Sequence, residues 1–362
     1  MPRLSLPTLL TASARLLLLP VVAVATAWGG GALWFQLPGP APLRELVIAL
    51  WGTLALLLAI ALCCPRMRRL RRWSLAGYLL ALAALLGWWQ TLTPRNDRDW
   101  APDVARQLAF ERHGSQVTLY NVRNFEWRAT GGFTPHWETR EYDLDQLRSV
   151  DMLVSYWMGP AIAHTLVSFG FSDGRYLTFS VEIRRERGEA FSTFGGFFRQ
   201  FEVSLIAADE RDIVRTRTNV RHEAVYLYRV GLSRPAMRQL LLAYLDTARA
   251  LRSEPAFYNT LTSNCTTLVF DMLRPIVPGL PLDYRLLLSG YLPDYAYDLG
   301  GLDDSRSLET LRRLGHINAR ARASDIDGHA AADFSRAIRR GVPAADGTLI
   351  APPAPGDPAT AP

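Results

Sequence analysis

Cysteine is scarce in this chain: three residues in 362, of which Cys63 and Cys64 close an apolar run and only Cys265 lies beyond it. A lone thiol forms no disulfide within its own domain and completes no cysteine zinc site. The chain also has no His-Glu-x-x-His, no Cys-x-x-Cys and no closely spaced histidine pair. No metal site is therefore expected, and no cofactor. No glycine-rich phosphate loop precedes a helix, no Gly-x-Ser-x-Gly elbow marks a serine nucleophile, and no internal repeat is visible. Asp209-Glu210-Arg211-Asp212 is acidic, but its interleaved arginine reads as a solvated helix face.

What is present begins with apolar length. Three runs, near Leu16–Leu37, Leu46–Cys64 and Ser74–Leu92, reach the length that spans a hydrocarbon core of roughly 30 Å. Pro20 and the Gly29-Gly30-Gly31 run weaken the first as a helix. Between the second and third lie five arginines in the eight residues 65–72. The positive-inside rule puts that loop, and with it the N-terminus, in the cytoplasm. Three crossings then deliver the rest of the chain to the outer face of a bacterial inner membrane, the periplasm of a Gram-negative cell. The expected organisation is a membrane anchor over 1–93, a periplasmic domain over 94–340 and a disordered Pro- and Ala-rich tail over 341–362. The net charge of +6 owes much to the membrane-flanking arginines and is no sign of nucleic-acid binding.

The outer domain mixes strands with helices, an α+β class with an antiparallel sheet. Val104–Arg112 reads as a short helix, and Gln116–Arg123, Trp137–Tyr142, Met152–Trp157, Glu202–Ile206 and Glu223–Val230 read as strands. Asp209–Arg217 reads as a charged helix. Ala161–Phe171 and Arg175–Ile183, joined by Ser172-Asp173-Gly174, form the clearest hairpin, because Asp-Gly between alternating runs suits a tight turn. Ser233 reads as the N-cap of a helix running to about Leu251.

Cys265 falls where the polar segment Tyr258–Asn264 changes into an apolar helical pattern, stopped by Pro275. A sulfur at the start of a helix is favoured as thiolate, the form that acts as a nucleophile. A cysteine nucleophile needs a base and a group to orient it. Of the six histidines, His113, His136, His222, His316 and His329 sit in turns or polar segments, whereas His164 opens an apolar strand. With the hairpin turn centred near Asp173, His164 stands opposite Glu182, within reach of its carboxylate. Ser180 is the same-face neighbour that substitutes if the register slips. The competing partners of Glu182 are Arg184 and Arg185. Asn264 and Tyr258 are candidates for binding an oxyanion or positioning a substrate.

The order Trp127, Trp137-Glu138-x-Arg140, His164-Thr165-x-x-Ser168-Phe169, Ser180-Val181-Glu182-Ile183-Arg184, Glu210-x-Asp212, Tyr258-Asn259 and Asn264-Cys265-Thr266-Thr267 resembles the Lnb N-terminal periplasmic domain family over roughly residues 115–290. That family is related to papain-like, NlpC-type cysteine peptidases in a permuted arrangement with histidine before cysteine, the order found here. The resemblance implies a papain-like domain, a Cys265–His164 pair with Glu182, and acyl transfer through a thioester to the amine of a lipoprotein. Its namesake members join the domain to other membrane segments. The expected activity is acyl transfer or hydrolysis on a membrane lipid or lipoprotein. The alternatives are a cell-wall amidase or peptidase using the same pair, and a non-catalytic envelope-binding or scaffold module. Oligomeric state is not legible.

Overall fold

The computed structural model describes residues 6–64, 66–128, 131–326 and 331–344. His329 and the tail from 345 onward lie outside the described residues. The chain divides into two units, Met1–Arg95 with Ser192–Gln200, and Asn96–Phe191 with Phe201–Pro362.

The first unit holds α1 (Leu6–Gln36), α2 (Ala41–Cys63) and α3 (Arg68–Thr91). Helix α1 is unbroken despite Pro20 and its glycines. A Cβ on Gly29 would meet Trp51 and Leu85 at 2.8 Å, so this glycine allows close helix packing. The Trp51 indole donates to the Thr26 carbonyl at 2.9 Å, and its ring stacks on Tyr78 at 4.8 Å. Among the described residues two helices, Leu17–Gln36 and Ala41–Cys63, are long and apolar enough to cross a membrane, not three. The third helix forms, but Arg68, Arg69, Arg71 and Arg72 occupy its start. Ser74, Tyr78, Trp88, Trp89 and Gln90 dilute the remainder. The expectation that three crossings carry the rest of the chain to the outer face loses that basis.

The second unit is a mixed α+β arrangement. Its strands are β1 (Ala109–His113), β2 (Gln116–Arg123), β3 (Glu126–Trp127), β4 (Phe133–Thr134), β5 (Trp137–Asp143), β6 (Leu147–Met158), β7 (Ile162–Phe171), β8 (Tyr176–Arg184), β9 (Glu202–Ala208) and β10 (Ala224–Val230). The main sheet runs β1-β2-β9-β8-β7-β6-β10 with β5 paired to β2, while β3 and β4 pair separately. Pairing in the main sheet is antiparallel except where Arg123 meets Ala208. The helix expected over 104–112 is instead a single 3-10 turn, Pro102–Val104, followed by β1. The turn at Gly114-Ser115 folds β1 back onto β2, and five ladder pairs outweigh local helix preference. The β7–β8 turn has Gly174 at φ 82°, a conformation glycine adopts without steric cost.

Helices α4 (Glu210–Arg215), α5 (Arg234–Ser253), α6 (Thr267–Leu273), α7 (Leu292–Asp298), α8 (Leu308–Gly315), α9 (Asn318–Ile326) and α10 (Ala331–Arg339) complete the unit. Alternation along β7 and β8 divides the core. Val167, Phe169, Phe179 and Val181 pack with Tyr244 of α5 and Val269 of α6. Leu166 turns the other way, toward Ile206, Ile213 of α4 and Phe334 of α10. Burial of each such side chain contributes about 1.5–3 kcal/mol.

The run Asp209–Asp212 is not a solvated face: Glu210 and Asp212 are wholly buried. Helix α4 turns them inward, where cations from distant elements meet them. Arg339 of α10 donates to Glu210 at 2.6 and 2.7 Å, and Ser168 adds a bond at 2.5 Å. Asp212 accepts from Arg123 at 2.8 and 3.1 Å, from the Phe125 backbone at 2.9 Å and from the Trp127 indole at 2.7 Å. The chain contains no lysine, so every such cation is a guanidinium. Its planar donor fork suits bidentate burial better than an ammonium would.

Candidate functional site

Cys265 lies in the loop two residues before α6. Asn264 holds that loop: its side-chain oxygen accepts from the backbone N–H of Thr266 at 2.8 Å and of Thr267 at 3.0 Å, and its amide nitrogen donates to the Thr260 carbonyl at 2.8 Å. The Thr267 hydroxyl returns the favour, accepting from the Asn264 backbone at 2.9 Å. The Asn264 carboxamide is thus engaged at both ends by its own loop, next to the sulfur.

His164 is placed by β7. The β7–β8 ladder runs from the turn to the Leu166–Ser180 pair, and the same register carried two residues further sets His164 opposite Glu182. On its other side His164 pairs with Ser155 of β6, while Glu182 pairs with Ser204 of β9. His164 Nε2 lies 2.7 Å from Ser180 Oγ and 3.4 Å from Glu182 Oε1, and the Ser180 hydroxyl donates to Glu182 at 2.7 Å. Because that hydroxyl gives its proton to Glu182, it accepts from Nε2–H. Ser180 therefore belongs to the support behind the imidazole.

Arg217 anchors the carboxylate from a single π-helical turn, Thr216–Val220. It donates to Glu182 at 2.9 Å and reaches Glu223 at 3.4 Å, and Glu223 accepts from the Ser155 hydroxyl at 2.5 Å. Neither Arg184 nor Arg185 is the partner of Glu182. Arg184 turns to Asn96 and the carbonyls of Val104 and Ala105, and Arg185 to Asp103.

Sulfur and imidazole meet where β7 and β8 stop pairing. The Cys265 thiol hydrogen-bonds with His164, with the Thr165 backbone N–H and with the Thr266 hydroxyl. Cys265 is 7% exposed and His164 9%, so the pair is nearly withdrawn from solvent.

Residues 133–290 match the Lnb N-terminal periplasmic domain family. This segment is similar to an Lnb N-terminal periplasmic domain. It encloses Ser155, His164, Ser180, Glu182, Arg217, Glu223 and Cys265. No curated protein and no solved structure matches the chain. With two apolar helices ahead of it in sequence, the Lnb domain describes a membrane-anchored protein with a periplasmic domain.

The electrostatics of the Lnb domain converge on the pair. Burial pushes the Cys265 thiol up, but the His164 charge and the three hydrogen bonds outweigh it, and the net shift is downward. Burial and Arg217 push His164 down, yet Glu182 and Cys265 prevail and raise it to about 9. Burial alone would raise the Glu182 carboxyl, but the charges of His164 and Arg217 hold it well below the usual range. These directions favour a thiolate–imidazolium pair over a neutral thiol and imidazole. Tyr258 and Tyr244 stand close enough to the sulfur for its charge to add to burial in raising their hydroxyls. The Tyr244 hydroxyl, packed between Phe169 and Phe179, makes no hydrogen bond. Among the described residues no group of three or more histidine, cysteine, aspartate or glutamate side chains is placed to hold a metal.

Arg217, Glu223, Ser155 and Tyr244 escaped sequence reasoning. Ser155 follows only from the β6–β7 register, and Tyr244 looks like one more apolar position of α5. Arg217 had a weak signal as one of several arginines with no assigned role.

Proposed function

We propose that this protein is a membrane-anchored periplasmic thiol acyltransferase or hydrolase acting on lipid or lipoprotein substrates. The observation that carries the reading is the hydrogen-bonded, buried Cys265–His164 pair, with its thiol shifted down and its imidazole up. A structural cysteine in an apolar core would have its thiol raised instead. A cysteine just ahead of a helix packed on an antiparallel sheet, with its histidine on a strand, also fits the papain-like arrangement that the resemblance implies.

In the proposed reaction the thiolate Sγ attacks an ester or amide carbonyl, forming a C–S bond and a tetrahedral oxyanion. Tyr258 is the side chain assigned to that oxyanion. The C–O or C–N bond then breaks, and the imidazolium gives its proton to the departing alcohol or amine, leaving a thioester on Cys265. His164, now neutral, takes a proton from an incoming amine or water. That nucleophile forms the new acyl bond, the C–S bond breaks, and the thiolate–imidazolium pair is restored. Glu182, held by Arg217 and joined to His164 through Ser180, stabilises the imidazolium at each stage. The membrane anchor favours a substrate in the bilayer plane, because a freely diffusing one needs no anchor.

Membranes carrying the wild type, Cys265→Ala and His164→Ala are labelled with an electrophilic thiol probe, and the native adduct is then read by mass spectrometry. Fast labelling near neutral pH that disappears in the first variant and slows at least tenfold in the second, with an acyl mass on Cys265, is the expected result. Slow labelling indifferent to His164 leaves a non-catalytic module. A peptide-derived adduct points to cell-wall chemistry.

A further inference from the structure

A cavity of about 590 Å³ opens beside β10, bounded by the β6–β7 turn, the Arg221–Glu223 segment and Gly290-Tyr291. That volume suits a small organic ligand. Its walls are aromatic and already set in place. Tyr156 donates to the Gly290 carbonyl at 2.6 Å and stands edge-on to Tyr226, whose ring stacks on His316 at 4.9 Å.

The charge on the lining is unbalanced. Arg221, Arg312 and His222 face a single carboxylate, Glu223. That carboxylate is already shared with Arg217 and Ser155, and Arg221 comes no nearer to it than 3.8 Å. Arg312 is paired with Asp294 at 2.5 Å, so Arg221 is the cation with least compensation. Burial and the neighbouring Arg217 charge push the Arg221 guanidinium down, the direction of a site with surplus positive charge. Tyr228 supplies a second, separate observation. It lines the cavity, it is 3% exposed, and the cation beside its hydroxyl is the Arg312 guanidinium of the same lining. A buried hydroxyl is ordinarily partnered.

We propose that this cavity binds a phosphate ester, with Arg221, Arg312 and the Tyr228 hydroxyl as donors to the phosphate and the tyrosine walls holding the ester's body. Donors carried on separate elements suit a tetrahedral anion with several oxygens, whereas one guanidinium fork satisfies a planar carboxylate. A soluble organic phosphate and a phospholipid headgroup share this chemistry. The inference does not depend on the cysteine reaction, although the cavity borders the Cys265–His164 network at Glu223 and at Arg221, which stands near Arg217.

The test uses full-length protein carrying Cys265→Ala, so that no turnover intervenes. In dodecyl maltoside it is titrated calorimetrically with glycerol 3-phosphate, alone and with Arg221→Gln or Tyr228→Phe added. In bilayer nanodiscs the same proteins are irradiated with a headgroup-photoreactive phosphatidylglycerol. Saturable binding weakened about tenfold by each added substitution supports the site with a soluble ligand. Absence of soluble binding, with crosslinks at residues 221–228 that either substitution removes, supports it with a lipid headgroup. Binding that neither substitution changes, or neither binding nor crosslinking, overturns it. Because Cys265 is absent throughout, these outcomes are separate from the fate of the cysteine reaction.

Discussion

His164 and Glu182 face each other across the β7–β8 hairpin, Nε2 3.4 Å from Oε1, with the Ser180 hydroxyl bridging them. The bridge gives the imidazole a second route to the carboxylate, so its orientation survives small movements of either strand. Arg217 fixes the far side of the same carboxylate at 2.9 Å.

The pH profile of the reaction follows from the two shifts. The thiol titrates below its ordinary value and His164 near 9, so the ion pair occupies the range between the two titrations. Turnover is expected to rise with acidic-limb thiol ionisation, hold between the two titrations and fall as pH passes about 9. The folded His164 value lies above its ordinary 6.5. Its contribution to stability is therefore complete below about 6.5 and is lost as pH climbs through about 9. Rates and melting temperatures measured from pH 5 to 10 check both statements, and a profile centred on an unshifted histidine would sink them.

Glu182→Gln keeps the shape of the side chain and removes its charge. The alkaline limb should move to lower pH, and probe labelling at pH 7 should slow at least tenfold, about 1.4 kcal/mol. An unmoved limb would transfer the orienting role to Ser180.

Arg217→Ala takes from the partly buried Glu182 and Glu223 the cation they share, Arg221 remaining 3.8 Å from Glu223. Breaking such a pair from one side costs about 3–5 kcal/mol. Adding Glu182→Gln to Arg217→Ala should recover part of the loss in a denaturation series, and strictly additive losses would show that the two residues are not coupled.

Arg339→Ala is the contrasting case. It takes from Glu210 the cation that donates to it at 2.6 Å, and from Asp151 one of two, at 2.8 Å, Arg229 remaining at 2.5 Å. A similar destabilisation of about 3–5 kcal/mol is expected. The Cys265 labelling rate of the folded fraction should stay within twofold of wild type, because Arg339 bonds to Asp151, Glu210, Ser168 and Ser335 rather than to the pair. A labelling rate that collapses with this variant would tie the two buried networks together.

Sequence alone determined the local geometry. The Asp-Gly turn and the period of two in the flanking strands set which residues of β7 and β8 stand opposite, so the His164–Glu182 relationship was legible before any coordinates. Cys265 stood out because no other thiol follows the apolar segments. The α+β class and the helix from Ser233 were legible for the same local reasons. Tertiary structure decided what meets those residues from elsewhere. Charge composition made Asp209–Asp212 look solvated, yet α4 turns Glu210 and Asp212 toward Arg339 and Arg123, which are 129 and 89 residues away in sequence. Arg217 reached Glu182 in the same way. A strand's period says which side of the sheet a side chain takes, but not which distant cation arrives there. Burial of charge depends on that arrival, and only packing the elements together settles it.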